Sequence, residues 1–229
     1  MSLTVHHLQV SQSERIPWLC EELNIPYKLV LHQRDPVFSP QSIKDLNPIG
    51  QAPVIQDGHL TLAESAACTE YIINKYGNGK LALPPAHKNY ADYLYWFHFS
   101  NGTLQMQVMI YLQLTRVDPS SSNPATARAA ARLSELLAFV DARLNQNTWL
   151  AGDEFTAADI MTVFSLTTMR TFCLIDLTPY KGILAYLGRI VQREGYKKAR
   201  AKADPQLELM IDGKPPKPFV QRLKEQGKI

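Results

Sequence analysis

The sequence predicts a small α/β domain followed by an all-α domain. Two observations carry this reading. Strand and helix patterns alternate up to about residue 80, and beyond a Gly- and Pro-rich stretch, "GNGKLALPPAH" (Gly77–His87), the apolar residues keep helical spacing. A third observation fixes the middle of the first part: Asp57-Gly58 lies between two short apolar runs, a strong hairpin signal.

Each element follows in order. Leu3–Val10 reads as a strand and Ile16–Leu23 as a helix that stops at Asn24-Ile25-Pro26. Tyr27–Leu31 reads as a second strand, and Ser39–Leu46 as a short helix ending before Asn47-Pro48. "APVIQDGHLTLAE" supplies the hairpin, and "ESAACTEYIINKY" turns helical up to Gly77. The order is β-α-β-α-β-β-α. Beyond the linker, Tyr90–Leu114 is a long aromatic-rich helix. In Arg128–Asn145 the residues Leu133, Leu136, Leu137, Val140 and Leu144 form one helical stripe. Asp159–Phe172 carries apolar residues around its whole circumference, as expected for a helix buried on all sides. Ile183, Leu187, Ile190 and Val191 form a further stripe. Domains at 1–79 and 88–229, joined by 80–87, are the expected layout.

Composition narrows the function. A net charge of +3 is too mild to argue for nucleic acid, and the basic excess gathers late, in "REGYKKARAKADP" and "KPPKPFVQRLKEQGKI", where a solvated terminal segment is expected. No apolar run approaches the roughly 18 residues that span a bilayer, and no signal-peptide pattern opens the chain. Cys20, Cys68 and Cys173 are odd in number, widely spaced and flanked by apolar residues, so buried free thiols in a reducing compartment are expected. A cytoplasmic protein follows as the default.

Four local patterns bear on chemistry. In "VSQSERIPWLCEEL" Ser11 and Ser13 both fit as helix caps, Ser11-Gln12-Ser13-Glu14 matching a capping box. One of these hydroxyls could instead face a substrate, and the stretch alone leaves both readings open. In Gln51-Ala52-Pro53-Val54 a proline opens a strand where it cannot donate to the sheet. It is either a trans residue at an edge or a cis residue that leaves the backbone of Ala52 able to pair with an extended peptide. Glu64-Ser65 precedes a helix. Ordinary capping explains the pair, and so does a seat for an amino acid, with the helix N-terminus taking a carboxylate and Glu64 an ammonium. Thr156-Ala-Ala-Asp159 reads as a structural capping box.

In this order and at these spacings the pieces resemble the cytosolic glutathione transferases. The signs are the strand and helix order, Ser-x-Ser-x-Arg after the first strand, "NPIGQAPVIQDGHLTLAES" and "GDEFTAADI". The likeness is closest to the serine-type branch, especially fungal and bacterial members in which "RDP" follows the second strand, here Arg34-Asp35-Pro36. The resemblance implies an α/β N-terminal thioredoxin-like domain that binds glutathione, followed by an all-α helical-bundle domain. It implies that Pro53 is cis, that the backbone of Ala52 pairs with the cysteinyl part of glutathione, and that Glu64 and Ser65 hold its γ-glutamyl end. Gln51 stands where many relatives carry a lysine near the glycyl carboxylate, and Phe38 where some carry a histidine. Ser11 is placed at the thiol, with Ser13 as its competitor, and Arg15 is mainly structural.

The chemistry explains why a hydroxyl is wanted there. A free thiol has a pKa near 8.5. A hydroxyl donating to the thiolate favours the charged form, and a shift of about two units corresponds to roughly 2.7 kcal/mol. Serine would then orient and stabilise the thiolate without attacking anything. The loop offers no cysteine at the start of the helix, and Cys20 is about two turns in, so thiol-disulfide exchange is disfavoured.

The resemblance implies conjugation of the glutathione thiolate to small, apolar electrophiles in detoxification, with organic hydroperoxide reduction as an added reaction. Glutathione is the co-substrate, no metal is needed, and a homodimer without nucleic-acid or membrane partners is expected. Tyr93, Trp96, Phe97, Ser100, Asn101 and Met106 are candidates for the electrophile's pocket, the alternative being that they are core. The competing function is a non-catalytic glutathione- or ligand-binding regulatory protein of the same fold.

Overall fold

The computed structural model describes residues 3–229; Met1 and Ser2, at the start of the expected first domain, lie outside the described residues. By packing, the chain divides into two compact units. One holds the chain up to Pro84 together with Arg189–Leu209 and Val220–Ile229, and the other holds Pro85–Gly188 and Met210–Phe219.

The first unit is built on a mixed sheet of four strands, β1 (Thr4–Leu8), β2 (Lys28–His32), β3 (Val54–Asp57) and β4 (Leu60–Ala63), in the spatial order β2-β1-β3-β4. β1 and β2 are parallel, with Thr4 opposite Lys28, so a crossover must join them. That crossover carries α1 (Arg15–Leu23), which Asn24 ends in the left-handed conformation at φ 52°. β3 runs antiparallel to β1, and β4 returns through the Asp57-Gly58 turn with Asp57 opposite Leu60. α2 (Gln41–Lys44) is shorter than expected, and α3 (Ser65–Lys75) closes the unit. The observed order is the expected β-α-β-α-β-β-α. β1 is central, and His6 and His7 are both buried in it.

The basic segment expected to be solvated is partly packed. Its first half folds as α9 (Glu194–Ala203), which lies along α1. Trp18 and Tyr196 meet edge to face at 4.9 Å. Arg193 forks onto Glu22 with bonds of 2.9 and 2.8 Å, and Gly195 lets the helices approach, since a Cβ there would sit 2.6 Å from the Glu22 carboxyl carbon. The positive charges that suggested solvent instead pair with acids on α1: Lys202 with Glu21, and Arg193 with Glu22.

In the second unit the expected long aromatic helix is three pieces in succession: α4 (Tyr90–Phe99), a π-helical turn over Ser100–Gln105, and α5 (Met106–Val117). The buried Ser100 hydroxyl donates back to the Phe97 carbonyl at 2.8 Å, a bond of the kind that bends helices. Trp96 stacks on Phe139 of α6 (Pro124–Gln146) at 5.3 Å. The predicted helix over Asp159–Phe172 stops earlier, as α7 (Ala157–Leu166), and gives way to a 3-10 turn over Thr168–Thr171. The reason is Arg170, fully buried, which donates to the carbonyls of Ile175 (3.0 Å), Met210 (3.1 Å) and Gly213 (2.7 Å) and so gathers two later segments. α8 (Lys181–Ile190) begins in this unit, and α10 (Phe219–Glu225) ends the described helices. No helix among the described residues is long and apolar enough to cross a membrane.

The three cysteines are buried, and burial pushes the thiols of Cys20 and Cys68 up to about 12 and that of Cys173 to about 11. The capping box at the start of α7 is complete. Asp159 accepts from the N–H groups of Thr156 (2.8 Å) and Leu150 (3.0 Å) and from the Tyr186 hydroxyl (3.2 Å). Burial pushes its carboxyl up to about 6, against these bonds.

Asp159→Asn leaves one of these donors without its oxygen and lowers stability at pH 7 by about 1–3 kcal/mol. Because the folded protein holds the Asp159 proton more tightly than the unfolded chain, the stability difference between wild type and variant falls as pH rises from about 4 to about 6. Chemical denaturation across that window measures it, and a difference independent of pH contradicts the assignment.

Candidate functional site

Three segments of the first unit are tied to one another: the loop after β1, the chain before β3, and the start of α3. The tie runs through Arg15, the first residue of α1, which is fully buried. Its Nη1 donates to Ser65 Oγ at 3.0 Å and to Gln12 Oε1 at 3.3 Å, and Gln12 Nε2 donates to the Ala52 carbonyl at 3.1 Å. Burial lowers the Arg15 pKa to about 9 while the Glu14 charge raises it, so the guanidinium stays protonated at neutral pH. This bears on the expected structural role of Arg15. Gln12 was not singled out, because a polar residue between two serines carries no distinguishing pattern.

The loop after β1 turns sharply at Val10, whose φ of 55° is left-handed. For a β-branched residue this conformation stores about 1–3 kcal/mol and needs support. Both sides of Val10 are held: its N–H donates to Asp204 Oδ1 at 3.1 Å, and its carbonyl accepts from Arg34 Nη2 at 2.9 Å. Arg34 also donates to the Val37 carbonyl at 2.9 Å, so the "RDP" segment braces the turn.

Ser11 follows at once and caps the single 3-10 turn Gln12–Glu14, accepting from the Ser13 N–H at 3.2 Å. Its hydroxyl donates to the Leu8 carbonyl at 2.7 Å and lies 2.7 Å from Ser13 Oγ. Ser13 is deeper. Its Oγ accepts from the Leu8 N–H at 3.0 Å and lies 2.8 Å from His7 Nδ1. His7 Nε2 in turn lies 2.8 Å from Asp204 Oδ2. Burial pushes the Asp204 carboxyl up, but the His7 hydrogen bond and charge, the Val10 N–H and Arg200 together hold it below the ordinary range. Ser11 keeps 6% of its surface exposed and Ser13 none.

The peptide bond between Ala52 and Pro53 is cis, and both residues are buried just before β3. Gln51 is exposed, and its carbonyl accepts from the Asn47 side chain at 2.9 Å. Glu64, exposed, adopts φ 72°, and its carbonyl accepts the first bond of α3 from the Cys68 N–H at 2.8 Å. Ser65 is buried with its hydroxyl on Arg15. Phe38 is 74% exposed. The proposed electrophile residues divide: Tyr93, Trp96, Phe97 and Ser100 are buried in the second unit's own core, and Met106 is exposed.

His7 and Asp204 were missed from sequence. Two adjacent histidines in an otherwise apolar strand were the available signal for the first. Asp204 lies in a basic stretch almost two hundred residues away and gave none.

Comparisons with known proteins give the family of the chain. The glutathione S-transferase N-terminal domain model matches residues 11–75 and the C-terminal domain model residues 104–194. Glutathione S-transferase 3 of Schizosaccharomyces pombe is 30% identical over 88% of this chain and 88% of its own. Glutathione S-transferase GstB of Escherichia coli is 32% identical over 61% of this chain and 69% of its own. Among solved structures, a glutathione S-transferase from Actinobacillus pleuropneumoniae superposes with a TM-score of 0.80 at 29% identity, covering 88% of this chain and 93% of that one. A glutathione transferase from Phanerochaete chrysosporium in complex with oxidized glutathione shares the fold, with a TM-score of 0.71 at 17% identity over 86% of this chain and 94% of that one. With its mixed four-stranded sheet, its helical second part and a relative at 30% identity over 88% of each chain, the chain belongs to the glutathione S-transferase family.

Proposed function

We propose that this protein binds glutathione on its first unit and transfers the thiolate to small apolar electrophiles in the cytoplasm, as a detoxifying enzyme working without a metal. The observation that carries the reading is the pair of serines: Ser11, next to the strained Val10, keeps 6% of its surface exposed, while Ser13 keeps none. A thiol can approach Ser11 and cannot approach Ser13 without displacing it. Bound beside Ser11, the sulfur takes the hydroxyl's proton as a hydrogen-bond partner in place of the Leu8 carbonyl, which favours the thiolate.

The remaining contacts follow the chemistry of the peptide. The backbone of Ala52 pairs with the cysteinyl residue as an added strand. Its carbonyl already accepts from Gln12, and a carbonyl has a second lone pair for a ligand N–H. Ser65 and the N-terminus of α3 receive the γ-glutamyl carboxylate, and Glu64 the ammonium. Gln51 offers a neutral amide to the glycyl carboxylate. Hydroperoxide reduction uses the same thiolate, with the peroxide as electrophile. The chain works as a homodimer.

Ser11→Ala raises the pKa of bound glutathione by about two units, read from thiolate absorbance across pH, and lowers conjugation at neutral pH by about ten- to a hundred-fold. Calorimetric affinity for glutathione changes little in that variant. Equal effects of Ser11→Ala and Ser13→Ala on the thiol's pKa, with both variants folded, contradict the assignment. A wild type that fails to bind glutathione returns the chain to the non-catalytic, ligand-binding reading.

Light scattering at micromolar concentration gives a mass near twice 25.8 kDa. A mass near 25.8 kDa throughout that range contradicts the dimer.

A further inference from the structure

We infer that Ser11, Ser13, His7 and Asp204 form a buried proton relay that takes the thiol's proton and keeps it inside the protein. The inference rests on the reading of Ser11 as the residue at the thiol. Four side chains from β1, the following loop and the end of α9 stand in line: Ser11 Oγ to Ser13 Oγ, 2.7 Å; Ser13 Oγ to His7 Nδ1, 2.8 Å; His7 Nε2 to Asp204 Oδ2, 2.8 Å. All four are buried, His7 and Ser13 completely. A capping serine needs no such line behind it. Ser13 alone would satisfy the Leu8 N–H without an imidazole, and His7 would satisfy a structural need with any acceptor.

Once the Ser11 hydroxyl turns from the Leu8 carbonyl to Ser13 Oγ, the four side chains are linked with the protons running in either direction. In the resting direction Asp204 accepts the His7 Nε2–H, which leaves Nδ1 as an acceptor for the Ser13 hydroxyl. Ser13 Oγ then accepts from the Leu8 N–H and from the Ser11 hydroxyl. Ser11 Oγ accepts from the Ser13 N–H and, turned away from the Leu8 carbonyl, has one lone pair to offer an incoming S–H.

Transfer shifts one proton at each step. The S–H bond breaks and a new Ser11 O–H forms. Ser11 passes its former proton to Ser13, and Ser13 passes its own to His7 Nδ1. The sulfur keeps the electron pair as a thiolate, and the imidazolium rests against the Asp204 carboxylate. Afterwards Ser11 donates to the thiolate, Ser13 to Ser11, and His7 to Ser13. Each of the four side chains keeps its partner in the line in both states, and the Leu8 carbonyl gives up the Ser11 hydroxyl.

The charged and titratable groups around the relay suit this transfer. His6, the neighbour on β1, bonds away from His7, to His32 and Gln56 at 3.0 Å each. Burial first, then His6 and His7, lower the His32 pKa. On the α9 side Asp204 is flanked by Arg200 and Arg34, and Arg200 is also paired at 3.8 Å with Glu14. Asp204 is thus the carboxylate in direct contact with the imidazole.

Two measurements on the full-length protein test the relay. The first uses wild type: histidine ¹⁵N NMR as glutathione is added at neutral pH, with thiolate absorbance on the same sample and calorimetry in two buffers of different ionisation enthalpy. The relay predicts that thiolate forms, that one histidine turns from the Nε2–H tautomer to imidazolium, and that almost no proton reaches the buffer. His7→Gln removes that signal and identifies it. The second uses Asp204→Asn, which keeps an oxygen for the Val10 N–H but turns an amide N–H toward His7 Nε2 and fixes the other tautomer. It raises the bound thiol's pKa by about one unit, a roughly ten-fold loss of thiolate below that pKa, and restores release of one proton per thiolate. Thiolate formation with every histidine unchanged and one proton released from wild type overturns the relay and leaves the role of Ser11 standing. Absence of thiolate in wild type overturns both.

Discussion

The Asp204 carboxylate is the contact on which the first unit's functional loop depends. One oxygen holds the N–H of Val10 in a conformation that a β-branched residue does not adopt unaided, and the other holds His7. Without the first bond the turn at Val10, which places Ser11, keeps only the Arg34 brace on its carbonyl. Without the second, a buried imidazole would lack a partner on one of its nitrogens, at a loss of about 1–3 kcal/mol. Asp204 can do both because α9 is packed along α1 and ends beside the loop, held there by Arg193 on Glu22 and by Trp18 against Tyr196. A helix from the far end of the chain therefore sets the geometry of a turn near its beginning.

Arg15 plays the matching part on the other side. A buried guanidinium is costly unless its donors are used, and this one joins the α3 serine to Gln12, and through it to the Ala52 carbonyl. The three segments proposed to meet glutathione are thus positioned by one cation and one carboxylate, neither of which needs to touch the ligand. Chemistry at the Ser11 hydroxyl is separated from the charges that hold its loop, and Ser11 keeps a little exposure that Ser13 lacks.

The fold was legible because its signals are local. Asp57-Gly58 marks its hairpin through the φ that glycine permits, Asn24-Ile25-Pro26 ends α1, and the Thr156–Asp159 box starts α7. The serines and Ser65 stood out as local capping patterns, whereas the residues around Pro53 left cis and trans open and only the family resemblance implied cis. What the sequence hid depends on contacts between distant segments. Arg170 breaks a helix that its own neighbours would continue, because carbonyls some 40 residues later need its donors. The basic run that seemed to belong in solvent is held by acids of α1, and Asp204 within it reaches across the chain to His7. Hydrophobic periodicity says which face of a helix is buried, and it says nothing of which buried polar groups will find each other.

The central claim is that glutathione lies with its sulfur at Ser11. A crystal structure of the protein with glutathione bound tests it most directly. The account predicts the sulfur within hydrogen-bonding reach of Ser11 Oγ, the cysteinyl backbone paired with Ala52, and the γ-glutamyl end at Glu64 and Ser65. A sulfur bonded to any other side chain, or a tripeptide lying away from these residues, would contradict it.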